Sequence, residues 1–409
     1  MRTFIATAML VALTTTASAA DFRWASTTDP DTMDPHASNS APVFSLLNNV
    51  YEGLVRRNES MKIEGSLAES WEPIGNGQGW RFNLRKGVKF HDGADFTAAD
   101  VMFSYVRASS EEADTSSWFA PVSEVTVVDD FTIDFLTKAP NPIFPDSIAN
   151  FLIMDSGWAE ANEATRPAKD AQTFATLNAN GTGPYRLTER QPGLKTVLSA
   201  NTEWWGERTG NVDTATFTPI QNDATRVAAL ISGDVDLVNP VPVQDAARLD
   251  SSDGVKVIRG IEARVIMFGF DQTSDTLFGG ADAGKPNPFK DVRVREAVAK
   301  AINVDAILQT IMRGSAEPAS QLVSPAMRGY SPSLAARPAV DVDGAKALLA
   351  EAGYPDGFSF ALKCPNDRYL NDESVCQAAV SMLAQVGLIA QLDAVPVSTY
   401  WPELREDNM

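Results

Sequence analysis

The chain has 409 residues, two cysteines, two histidines and a formal net charge of −19. It is long enough for two or three domains, with the composition of an ordinary soluble globular protein. The acidic balance argues against nucleic-acid binding, which needs a basic face, and two histidines leave little for a histidine-based triad.

Residues 1–20 read as a signal peptide outside the fold. Arg2 gives a basic start, residues 4–13 a short apolar core, and Ala17-Ser18-Ala19 a small-x-small cleavage site. Cleavage is expected just before Ala20 or Asp21. The apolar run falls far short of the roughly 20 residues a membrane span needs. No cysteine stands at the cleavage site, which disfavours a lipid anchor. Residues 21–26 then predict a strand, and Asp29 to His36 a polar loop punctuated by Pro30 and Pro35. A helix is expected within residues 39–49, before Tyr51-Glu52-Gly53-Leu54. At its start Asn39 and Ser40 are natural caps.

The most informative stretch runs from Leu67 to Ala108. Gly75, Asn76, Gly77, Gln78 and Gly79 supply a tight turn. Trp80, Phe82 and Leu84 alternate with Arg81, Asn83 and Arg85, a half-buried strand. Lys86-Gly87 and His91-Asp92-Gly93 turn the backbone again. Thr97 with Asp100 forms a variant capping box, with Phe96 and Val101 as its staple. A second hairpin is expected around Asp129-Asp130. Asn180-Gly181-Thr182-Gly183-Pro184-Tyr185 predicts a tight, well-defined crossing. Beyond it the sequence predicts a helix over 222–231 stopped by Gly233, strands over 235–238 and 264–270, and a helix to about Ile302. Further helices are expected over 343–352 and 373–386, strands over 358–363 and 388–395, and a helix beginning at Tyr400.

Catalytic signatures are missing. There is no G-x-S-x-G elbow and no metal-ligand spacing of Cys and His. Gly75, Gly77 and Gly79 precede a strand, unlike a dinucleotide-binding turn, and His91 reads as a turn residue. A binding reading has one candidate from chemistry alone. Arg368, between a strand and a helix, carries the fork that binds a carboxylate bidentately, and loops after strands commonly hold ligands. The plain alternative is a solvent-exposed arginine. Cys364 and Cys376 either form a disulfide, which export permits and which would add about 2–3 kcal/mol, or remain two buried thiols.

Several segments together resemble one family. They are Trp71-Glu72-Pro73 with its glycine-rich turn, the run from Trp80 to Gly93 read as W-x-F-x-L-R-x-G-V-x-F-H-D-G, and Thr97-Ala98-x-Asp100-Val101-x-Phe103-Ser104. With them go Gly181-Thr182-Gly183-Pro184-Tyr185 and the segment led by Asn287-Pro288-Phe289. This order is similar to that of the family 5 extracellular solute-binding proteins, the dipeptide and oligopeptide receptors of bacterial ABC importers. Met33 stands where the family usually has Leu.

The resemblance implies an α/β fold, a periplasmic binding protein type II-like two-lobed clamshell with an extra smaller domain. Residues 21–63 and 179–263 would form domain I, 64–178 domain II and 264–409 domain III, the sequence being truncated towards its C-terminus. It implies a periplasmic receptor, with no cofactor and no enzymatic activity, that captures a di- or oligopeptide by closing about a hinge at Thr182 and Gly183. A monomer would deliver the solute to an ABC permease and ATPase complex. A nickel chelate, glutathione, haem, an oligosaccharide or an opine are alternative solutes, and a secreted hydrolase and an adhesion or signalling receptor that kept the fold without transport are the rival classes. Arg368 and Tyr369 would hold the ligand carboxylate, although the spacing around them differs by a residue or two. Asn39, Ser40 and Ala41 would pair with the ligand backbone as an added strand does. The acidic residue that holds the ligand amine would lie beyond Met409.

Overall fold

The computed structural model describes residues 20–168, 171–260, 262 and 264–405. The expected signal peptide lies outside the described residues, Ala20 excepted. The protein divides after Asn239 into two compact units.

The first unit begins with β1 (Ala20–Ser26) and α1 (Ala41–Leu47), then a short hairpin of β2 (Val55–Arg57) and β3 (Ile63–Gly65). β4 (Ala68–Ile74) and β5 (Gly79–Leu84) follow, joined where Gly75, Asn76 and Gly77 all take positive φ. Three successive left-handed residues explain the Gly-Asn-Gly sequence. After α2 (Ala98–Ala108) come β6 (Val122–Asp129) and β7 (Thr132–Thr137). These close an antiparallel sheet of order β4-β5-β7-β6. Period-two alternation sends Phe82 and Leu84 inward, onto Ile133, Phe135, Phe144 and Phe151. On the other face Arg81 meets Asp134 directly across the ladder at 2.7 Å. Both halves of the capping box form: Thr97 Oγ1 accepts from Ala99 N–H, and Asp100 accepts from Thr97 N–H at 2.9 Å.

β8 (Tyr185–Gln191), β9 (Lys195–Ala200) and β10 (Val212–Pro219) join β1 in a second sheet. α3 (Asp223–Ser232) ends at Gly233 with φ 78°. The backbone then enters β11 (Leu237–Asn239), which completes the order β11-β1-β10-β9-β8. β11 starts two residues later than the predicted 235–238. Asp236, just before it, already meets β1: its N–H donates to the Arg23 carbonyl at 2.7 Å, and its carboxylate takes the Arg23 guanidinium and the Arg23 N–H, both at 2.8 Å.

The second unit contains α4 (Val292–Ala301) and α5 (Val342–Glu351), packed together. β12 (Phe358–Pro365), α6 (Asp372–Ala384) and β13 (Leu388–Val395) form a parallel βαβ crossover. α7 (Val397–Arg405) follows. Phe289, Phe358, Phe360, Leu383 and Leu388 fill the core. Cys364 and Cys376 are both buried and bonded, joining the end of β12 to α6. Residues 264–270 correct the expectation of a strand. They carry no regular structure, and Ile266 and Met267 are exposed. A strand needs a ladder partner, and among the described residues this unit's sheet is β12–β13 alone.

Candidate functional site

Candidate residues fall in both units. In the first, the loop from Asp34 to Ala41 is held by a buried ion pair. Arg107, on α2, donates to both Asp34 carboxylate oxygens at 2.6 and 2.5 Å, and both side chains are 1% exposed. The guanidinium also donates to His36 Nδ1 at 3.1 Å and to the Ala164 carbonyl at 3.0 Å. Arginine can only donate, so Nδ1 must be the acceptor and Nε2–H donates to the Leu152 carbonyl at 2.9 Å. Burial, followed by the nearby Arg107 charge, pushes His36 down to about 3. The imidazole stays neutral and its tautomer is fixed.

This anchor aims the next residues. The His36 carbonyl accepts from Asp114 N–H at 3.1 Å, and the Asp114 carboxylate accepts from Asn39 N–H at 2.8 Å. Ser40 occupies the N-cap position of α1, yet its hydroxyl caps nothing; it accepts from Ser38 Oγ at 3.2 Å. The Ser40 carbonyl accepts the helix's early Phe44 N–H. An added strand therefore cannot use Asn39 N–H. The Ser40 N–H has no partner among the described residues.

Thr182 and Gly183 lie deep in the first unit. A Cβ at Gly181 would sit 2.1 Å from the Val50 carbonyl oxygen, and one at Gly183 2.7 Å from that of Asn49. Only glycine lets these two backbones approach so closely. Thr182 Oγ1 donates to Glu52 at 2.8 Å, and Glu52 also accepts from Trp205 Nε1 at 2.8 Å and Trp204 Nε1 at 3.3 Å. Burial raises the Glu52 carboxyl, and these three donors pull it back. His91 Nε2 donates to the Gly183 carbonyl at 3.0 Å while its own N–H donates to the Gly181 carbonyl at 2.8 Å. Burial lowers His91 to about 4. His91 therefore stitches its turn to the glycine crossing. Spacing in the sequence does not connect Glu52, His91 and the Trp204-Trp205 pair, and the junction is not legible from it.

In the second unit, Asp367-Arg368-Tyr369 lies on the loop between β12 and α6, inside the Cys364–Cys376 ring. The Asp372 carboxylate accepts from the N–H groups of Arg368, Tyr369 and Glu373 at 2.9, 3.0 and 2.9 Å. Asp367 accepts from Val397 N–H at 2.7 Å. The loop's own carboxylates are thus held by backbone donors. The Arg368 guanidinium instead stacks 5.2 Å from the Tyr369 ring centroid, with no ion pair among the described residues. Arg264 approaches the same ring at 5.3 Å.

Among the described residues the first unit thus leaves the Ser40 N–H without a partner, and the second leaves the Arg368 guanidinium without an ion pair. The comparisons give the family. The model of the bacterial extracellular solute-binding proteins, family 5 Middle, matches residues 62–409, and the chain belongs to that family. It is 28% identical over 368 residues to the glutathione-binding protein GsiB of Salmonella choleraesuis, covering 89% of this chain and 67% of that protein. Its fold is that of the periplasmic binding protein DppA from Helicobacter pylori, solved with the peptide STSA (TM-score 0.75, 24% identity, 94% of this chain and 75% of that one). It is also that of AgaA from A. tumefaciens R10, solved with agropinic acid (TM-score 0.76, 24% identity, 95% and 75%). Among the described residues no helix is long and apolar enough to cross a membrane.

Proposed function

We propose that the protein is the periplasmic substrate-binding component of an ABC importer, and that it captures a di- or oligopeptide. The observation that carries this reading is Arg368. Among the described residues its guanidinium meets no carboxylate, and the loop's own acids are turned to backbone donors. A ligand carboxylate is the partner its geometry fits. Tyr369 would pack on the bound group, and Asn39, Ser40 and Ala41 would meet the ligand backbone through the Ser40 N–H. The likeness to GsiB supports glutathione, itself a tripeptide, as a second solute of the same chemistry.

The work is capture and delivery, without bond making. The solute closes the protein by binding the shut form better. Thr182 and Gly183 would be the hinge of that motion; the Thr182 hydroxyl is held by Glu52 and the Gly183 N–H by the Val50 carbonyl. Residues 64–178 form the inserted small domain between 21–63 and 179–263, and 264–409 the second binding lobe. The aromatic core centred on Phe82 and Phe135 supports the first of these. Export through a cleaved signal peptide, a monomeric state and docking on the permease complete the reading. A thermal-shift screen of the protein against dipeptides, glutathione, opines, sugars and nickel–histidine tests it. A true ligand at about a hundred times its Kd adds roughly 2.7 kcal/mol to the native state. A midpoint that no solute moves, or turnover of a peptide or ester, overturns it.

A further inference from the structure

Resting on that receptor reading, we infer that Arg264 is a second anion-binding residue beside Arg368, and that the pair selects a ligand with two carboxylates at one end. The guanidinium carbons of Arg264 and Arg368 lie 5.3 and 5.2 Å from the centroid of a single ring, that of Tyr369. The two cations therefore lie no farther apart than the sum of those distances. Two positive charges converging on one phenol repel each other unless an anion joins them. Asp367 and Asp372, the acids of the loop itself, do not supply it. Asp372 is occupied by three backbone N–H groups and Asp367 by a fourth. The ion partner of Arg264 is Glu262, at 2.8 Å, whose side chain is 66% exposed. An exposed pair so close in sequence is weak and screened by salt, so a ligand carboxylate can displace Glu262.

The ring fixes the arrangement. Tyr369 N–H is tied to Asp372, and the loop is closed by the Cys364–Cys376 bond. The ring offers both cations a π-face without neutralising either. One carboxylate satisfies Arg368, and a second, on the same terminal residue, reaches Arg264. The sequence hid this residue in what reads as a strand. In the structure residues 264–270 make no ladder, which leaves the Arg264 side chain available to the loop.

The test is calorimetric titration of the full-length protein with two near-isosteric dipeptides, Ala-Glu and Ala-Gln, at neutral pH and low salt. The wild type is expected to prefer Ala-Glu by about tenfold or more, the scale of a charge-assisted hydrogen bond. Arg264→Gln is expected to abolish that preference and leave Ala-Gln affinity within about twofold, whereas Arg368→Gln weakens both. Equal affinity for the two dipeptides in the wild type overturns the inference alone, and so does an Arg264→Gln variant that loses both ligands equally. The receptor reading survives either result. Binding of neither dipeptide removes the inference together with the peptide reading.

Discussion

Replacing Asp34 by alanine asks the most of the first unit. Asp34 and Arg107 are both 1% exposed, so their attraction is barely screened, and so is the penalty for separating them. Truncating one partner of a buried pair costs about 3–5 kcal/mol, because the other charge is left unpaired. Here Arg107 keeps three acceptors, His36 Nδ1 and the carbonyls of Ala164 and Arg166. The loss should therefore fall near the low end, about 3 kcal/mol. The double variant Asp34→Leu/Arg107→Met removes both charges and should recover most of that loss, since apolar replacement of a buried pair is often close to neutral. Seven of the eight tryptophans precede Asn239, so urea unfolding followed by tryptophan fluorescence reports mainly on the first unit. Limited proteolysis in native buffer should show earlier cleavage near Asn39 in Asp34→Ala, because the Asp114 contact that aims that residue depends on the same anchor. The reasoning is refuted if Asp34→Ala unfolds within about 0.5 kcal/mol of wild type. It is equally refuted if the double variant loses the sum of the two single losses.

Two further outcomes follow from the same structure. His36 and His91 are lowered to about 3 and about 4, against an ordinary value of 6.5. The unfolded state therefore binds more protons between those values, and stability should fall as the pH drops from about 6.5 towards 4, His91 contributing on the order of 3 kcal/mol. Urea midpoints should decline less steeply for His91→Gln across that window, and parallel profiles would sink the assignment. Reducing the Cys364–Cys376 bond, whose partners are 12 residues apart, should cost the second unit about 3 kcal/mol on the chain-entropy argument. Calorimetry with and without reductant reads this, and an unchanged thermogram would show that β12 and α6 hold the loop unaided.

The fold was most legible where local signals agree. Thr97, Asp100 and the Trp80–Phe82–Leu84 alternation each specify the same hairpin and helix start, and the structure contains all of them. Gly233 stops α3 because glycine takes the left-handed conformation without a steric penalty. Residues 264–270 show the limit of periodicity. Alternation states which residues could share a face, but a strand exists only where another strand supplies its hydrogen bonds, and that is a property of the rest of the unit.

The candidate site was legible as residue types and illegible as a distribution of partners. Arg368 could be singled out because a guanidinium on a loop after a strand is a chemical suggestion. What decides whether it is available is where Asp367 and Asp372 direct their carboxylates, and both turn to backbone N–H groups. The same logic runs in reverse at Asn39. Its N–H looked free in the sequence, yet Asp114, from a distant turn, takes it and moves the open donor to Ser40. Binding capacity in such a loop is what remains after the protein's own acceptors are satisfied. That remainder depends on contacts far apart in sequence. It is why Arg264, placed in an apparent strand, emerged only once its approach to Tyr369 was visible.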